Sequence, residues 1–160
     1  MFKGTLVSIH VAAKPAGPLG TVEQARVVPG KGIEGDRYFD GSGTWSNHPG
    51  NGREVTLIEA EAVEAIAKES GFDVLPGATR RNLVTRGVPL NHLVGREFRV
   101  GEVRLKGMRL CEPCEHLEGL TQKGVKSALL HRGGLRAEAL SAGTLRIGDT
   151  ISAVEDSSSE

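Results

Sequence analysis

The residues best able to do chemistry in this chain are two thiols three positions apart, in Cys111-Glu112-Pro113-Cys114. A thiolate is a nucleophile, a sulfur carrier and a soft metal ligand, so the stretch admits three chemistries. A redox dithiol needs its first cysteine at a helix N-terminus after a strand, in a βαβ setting. A structural zinc site needs four ligands. His116, His48, His92 or His131 could complete one, although the chain has no second paired motif. In the third reading one thiolate works alone. Pro113 then stiffens the turn that presents Cys114, while Cys111 ends a strand as a small buried hydrophobe. Two purely structural cysteines are the plain alternative.

A second set of residues is basic. Arg53 ends a Gly-, Ser- and Asn-rich stretch, Arg80-Arg81-Asn82 opens an apolar run, and Arg132-Gly133-Gly134 closes another. Guanidinium groups beside glycines suit an anion, because glycine lets backbone N–H groups approach an oxyanion closely. Each arginine taken alone reads as an ordinary solvated side chain. Gly35-Asp36-Arg37 reads as a tight turn with a local ion pair, and His48 as a loop histidine unless the cradle uses it.

Other chemistries find no support. No Gly-x-Ser-x-Gly elbow or paired-carboxylate pattern is present, and no Gly-Lys-Ser/Thr follows the Gly-rich stretch. Aromatic residues make up 4%, too few for a base-stacking surface. Lys+Arg and Asp+Glu each total 20, so net charge gives no bulk pull toward nucleic acid or membrane. Two cysteines cannot staple a secreted fold, and no leader or spanning apolar run is visible in the sequence. The expectation is a cytoplasmic protein with reduced thiols.

These groups need elements to position them. The 22 glycines punctuate short apolar runs, which favours strands and turns over a helical bundle. Residues 5–11, 22–28, 55–58, 81–86, 98–100 and 103–105 read as strands, the last running on toward Cys111, as do 135–140 and 144–154. Pro29 to Gly32 and Gly101-Glu102 read as turns, and Gly148-Asp149 as a break between apolar pairs. Ala60, Ala62, Val63, Ile66 and Ala67 recur at helical spacing, predicting a helix over residues 59–70 stopped by Gly71. Residues 89–94 fit one helical turn, and 125–131 a further helix. The order predicts a mainly β fold with inserted helices: a barrel, with the 59–70 helix on its outside. If 80–82 are regular strand, Arg80 and Arg81 point to opposite faces, so one cannot reach the cradle without a bulge.

Six motifs in order resemble one known family. They are Gly32-Ile33-Glu34-Gly35-Asp36-Arg37, His48-Pro49-Gly50-Asn51-Gly52-Arg53, Arg80-Arg81-Asn82-Leu83, Pro113-Cys114, Arg132-Gly133-Gly134 and Gly148-Asp149. Together they resemble the MOSC domain family, named for the C-terminal domain of molybdenum cofactor sulfurase. The resemblance implies a pyruvate-kinase-like β-barrel over residues 1–154, while the Ser-rich end, 155–160, reads as a disordered tail. It implies that Cys114 is the reactive cysteine, ligating molybdenum held by a pterin dithiolene or carrying sulfur. It further implies that Asp36, Arg37, His48, Arg53, Arg80, Arg81, Asn82 and Arg132 hold the cofactor. Cys111 is a departure, since many family members lack this second thiol.

Three functions follow from the resemblance. The first is a molybdenum-cofactor (molybdopterin) oxidoreductase that reduces N-hydroxylated or related substrates. The second is a sulfur carrier with a persulfide on Cys114. The third is a non-catalytic cofactor-binding module. With no sulfurase or electron-transfer domain in the sequence, a separate electron donor or sulfur donor protein is the expected partner, with no nucleic acid and no membrane.

Overall fold

In a computed structural model, residues 2–12, 20–36, 54–70, 81–110 and 133–154 are described. Eleven strands, one α-helix and one short 3-10 helix account for most of them. The strands are β1 (Lys3–Val11), β2 (Gly20–Val22), β3 (Gln24–Val28), β4 (Gly32–Ile33), β5 (Val55–Glu59), β6 (Leu83–Arg86), β7 (Glu97–Val100), β8 (Val103–Leu110), β9 (Leu135–Ala139), β10 (Gly143–Arg146) and β11 (Thr150–Ala153). Helix α1 is Ala60–Ser70 and the 3-10 turn is Leu90–Leu93.

Seven strands close into a barrel. Their order is β11-β7-β8-β9-β5-β6-β1, and β1 pairs back onto β11. Closure leaves no free edge along those strands. Every contact in the ring is antiparallel except β5 with β6. That parallel pair requires a crossover, and α1 lies between the two strands in sequence. The helix packs against β5 and β6 from outside, burying Ala60, Val63 and Ile66. Ile58 and Val84 are also fully buried, yet they alternate with Leu57 and Leu83 of the barrel core, so they face the helix. The adjacent apolar pairs Leu57-Ile58 and Leu83-Val84 are the sequence trace of being covered on both faces.

The barrel interior is filled by side chains such as Leu6, Ile9, Leu57, Phe98, Val100 and Leu105, all with no solvent exposure. A second sheet, β10-β3-β4, contributes Val27, Ile33 and Leu145 to the same core. The expected strand over residues 22–28 is therefore two strands. The chain bends at Glu23, leaving β2 paired with β1 and β3 paired with β10. The run 144–154 likewise divides at residues 147–149 between the small sheet and the barrel. A period-2 pattern marks which residues face inward, but it does not say which sheet they join. The predicted outer helix begins one residue later than expected, because Glu59 still pairs with Thr85 of β6. The helix expected over 125–131 and the tail 155–160 lie outside the described residues. No helix among the described residues is long and apolar enough to cross a membrane.

Candidate functional site

Five polar or charged residues are buried among the described ones: His10, Asp36, Arg81, Asn82 and Thr85. Four of them gather where β1 ends and β5 and β6 begin. Buried polar groups must find partners, so the hydrogen bonds show how the cluster is built.

Asn82 is its centre. Its Oδ1 accepts from both the amide and the hydroxyl of Thr56, each at 3.1 Å. Its Nδ2 donates to the His10 carbonyl at 3.0 Å. Its own amide donates to Thr56 Oγ1 at 3.0 Å, and its carbonyl accepts the His10 amide at 2.7 Å. Just before β6 begins, one side chain replaces the ladder bonds that the sheet lacks there. An amide is suited to this because it offers donors and an acceptor together.

Asp36 is almost fully buried and its Oδ1 accepts the Ala12 amide at 3.0 Å. The turn that aims it uses Gly35, at φ 90°, with the Asp36 amide donating to the Ile33 carbonyl. Asp36 is thus more than a local turn residue, since it ties the exit of β4 to the end of β1, 24 positions away. Arg81 is buried and its Nε donates to the Gly133 carbonyl at 2.8 Å. Since β5 separates β6 from β9 in the sheet, this bond links non-neighbouring segments.

The expected opposition of Arg80 and Arg81 involves Arg80, which lies outside the described residues, but the adjacent Arg81 and Asn82 both serve the cluster. Arg81 and Asn82 precede Leu83, the first residue of β6, so strict alternation does not apply to them. The glycine of the Arg-Gly-Gly motif also has a structural use. Gly134 sits at φ 112°, and a Cβ there would collide with the Leu57 carbonyl. Its smallness lets β9 leave beside β5, a reason separate from anion binding.

His10 was not among the sequence candidates. It is buried, with Nε2 at 2.8 Å from Ser8 Oγ and Nδ1 at 3.4 Å from Thr21 Oγ1. Both partners are hydroxyls that can donate or accept, so a neutral ring is satisfied in either tautomer. Burial holds its pKa below the usual 6.5. The available signal was a histidine inside an otherwise apolar strand run. Thr56 carried no signal, because its role depends on a residue 26 positions away. Nearby, Glu54 Oε1 accepts the amides of Gly30 and Ala139. Burial pushes this carboxyl upward, those two amides oppose the shift, and Glu138 adds to it.

Of the predicted site residues, Asp36, Arg81 and Asn82 fall within the described residues, and the structure joins them. Arg37, His48, Arg53, Arg80, Arg132, Cys111 and Cys114 lie outside the described residues. Each of the four arginines among these adjoins a described residue in sequence, namely Asp36, Glu54, Arg81 and Gly133. Cys111 follows Leu110, which pairs with Leu135. Among the described residues no group of three His, Cys, Asp or Glu side chains could hold a metal ion.

Residues 45–152, more than half of the chain, match the MOSC domain. The chain belongs to the MOSC domain family. That family is associated with the molybdenum cofactor in general. Solved structures repeat the fold. The YUAD protein from Bacillus subtilis superposes with a TM-score of 0.78 at 18% identity, over 97% of this chain and 100% of that one. YiiM from Geobacillus stearothermophilus gives 0.70 at 18% identity, over 95% and 75%. YiiM from Escherichia coli gives 0.67 at 17% identity, over 98% and 71%. No curated protein matches the chain by sequence. At these identities the solved structures establish the shared fold alone.

Proposed function

We propose that this MOSC protein binds the molybdenum cofactor at the polar cluster and reduces N-hydroxylated or related substrates. The observation that carries the reading is the connection among the arginine neighbours. Asp36 bonds to Ala12, two residues beyond His10, and His10 bonds to Asn82, which follows Arg81. Arg81 bonds to Gly133, while Asn82 bonds to Thr56, two residues beyond Glu54. The chain segments that lead into Arg37, Arg53, Arg80 and Arg132 are therefore fastened to one buried framework.

The donor set fits the group. Guanidinium groups suit a pterin phosphate through paired N–H donors. A cysteine thiolate suits a soft metal, and neighbouring positive charge favours the thiolate over the thiol. In this reading Arg37, His48, Arg53, Arg80 and Arg132 hold the anionic end, and Cys114 ligates molybdenum. Asp36, Arg81 and Asn82 hold the surrounding backbone through the bonds described above. When bound, the cofactor supplies a two-electron redox centre. Reduction of an N-hydroxylamine to an amine takes two electrons and two protons and releases water. The electrons come from a separate donor protein.

Metal and pterin analysis of protein expressed in a host that makes the cofactor tests the reading. Molybdenum and pterin bound to the wild type, with reductase activity lost in a folded Cys114→Ser variant, is the expected result. A mass increment of one sulfur on Cys114, without molybdenum, supports persulfide carriage instead. Molybdenum bound without turnover identifies a binding module, and absence of metal, pterin and sulfur overturns every cofactor reading.

A further inference from the structure

The outer wall of the barrel carries two cross-strand arginine pairs, and one of them, Arg99 with Arg104, is answered by Glu97. Arg109 of β8 and Arg136 of β9 are direct cross-strand partners. Their side chains therefore share one face, with Cβ atoms about 5 Å apart. Like charges directly opposite one another destabilise a sheet unless something neutralises them. Neither arginine has an ion-pair or side-chain hydrogen-bond partner among the described residues, whereas Arg86, Arg104 and Arg146 are each matched by a glutamate. The nearest carboxylate along β9, Glu138, stands opposite Lys106.

The fold contains a device that creates this pair. The β8–β9 register shifts between Gly107 and Arg109, so Met108 is an extra residue in β8. Without the bulge, Met108 would face Arg136 and Arg109 would turn inward. Gly107 is pinned beside it. Its amide donates to the Arg96 carbonyl, its carbonyl accepts the Gly95 amide, and a Cβ there would strike the Leu93 carbonyl. The row continues from Arg136 to its cross-strand partner Thr56, which bonds to Asn82. The arginine pair thus adjoins the buried cluster.

We infer that Arg109 and Arg136 form a binding fork for a phosphate group carried by a small molecule. Two guanidinium groups match a phosphate monoester, which bears about −1.5 to −2 at neutral pH, better than a carboxylate of single charge. Elsewhere on this surface one glutamate satisfies one arginine. The inference goes beyond the cofactor reading and does not require it, since the phosphate can belong to the pterin or to a diffusible substrate.

The test is a titration of the full chain with inorganic phosphate and with pyrophosphate, followed by NMR of the arginine Nε–H resonances. Saturable shifts at Arg109 and Arg136 are expected, with acetate at matched ionic strength giving none. Arg109→Gln and Arg136→Gln should each weaken binding by about tenfold, one charge-assisted contact being lost. Arg99→Gln should leave it unchanged. Melting temperatures of the variants should not fall below the wild type, because each substitution relieves the like-charge pair. Equal phosphate affinity in the double Arg109→Gln/Arg136→Gln variant, no saturable shift, or an equal response to acetate overturns the inference. Pterin content after expression in a cofactor-making host then separates the two sources. A fall in the double variant assigns the phosphate to the cofactor, and unchanged content with lost phosphate binding assigns it to a substrate. If no pterin binds even the wild type, the cofactor reading fails while the phosphate titration still decides the fork.

Discussion

The barrel interior and the polar cluster at the starts of β5 and β6 are both buried, but different forces hold them. The interior is apolar, so its cohesion is non-directional and proportional to area and packing. The cluster has few atoms that can tolerate displacement, because Asn82 alone serves Thr56 and His10 through four hydrogen bonds besides the one it accepts from the His10 amide. An interior residue can be trimmed at the cost of a cavity. A cluster residue cannot be trimmed without orphaning donors and acceptors on other strands. The interior makes the barrel stable, and the cluster fixes where the segments around it begin.

The largest effect expected on either side of that contrast is Phe98→Ala. Phe98 is fully buried and central to the interior, so its loss should cost about 3–5 kcal/mol. At roughly 2–4 °C per kcal/mol for a chain of this size, thermal unfolding should show a drop of at least several degrees. A negligible shift would mean that the barrel is not the cooperative unit.

Asn82→Ala should come next, at about 3 kcal/mol, because each buried group left unpaired costs about 1–3 kcal/mol. The distinguishing readout is location. Amide exchange should rise at Thr56, whose N–H loses the Asn82 Oδ1 acceptor, while the His10 amide keeps the Asn82 backbone carbonyl. Faster exchange spread evenly over the barrel would show that Asn82 is ordinary packing.

A pH dependence sharpens the comparison further. His10 has a lower pKa folded than unfolded, so the unfolded chain takes up its proton first. Its contribution is fully present above about pH 6.5 and declines as pH falls from there toward the folded value. His10→Gln should flatten the stability profile in that window and leave the profile above pH 7 with the same slope. Phe98→Ala should lower the profile without changing its shape. Identical pH slopes for His10→Gln and the wild type would remove His10 from the account.

The smallest effect belongs to the outer surface. Arg86 and Glu64 make two hydrogen bonds, at 3.1 and 2.9 Å, but both side chains are more than half exposed. Solvent and salt screen such a pair, so Glu64→Gln should leave the melting temperature unchanged at physiological ionic strength. A clear loss would indicate that α1 is clamped to β6 by charge and not by Val63 and Ile66.

Much of this protein was determined along the chain itself. Alternating apolar residues marked most strands, helical spacing marked α1, and the motif order identified the MOSC family. Those signals are local or ordered in sequence, and they survive without coordinates. The structure decided what long-range pairing decides. Residues 22–28 bend at Glu23 because two sheets compete for the chain. Arg81 and Asn82 can serve one cluster because β6 starts after them. Thr56 becomes a site residue only when β5 is set beside the start of β6, and Arg109 meets Arg136 only through a one-residue bulge. Register is a property of two strands together, and no periodicity within one strand contains it.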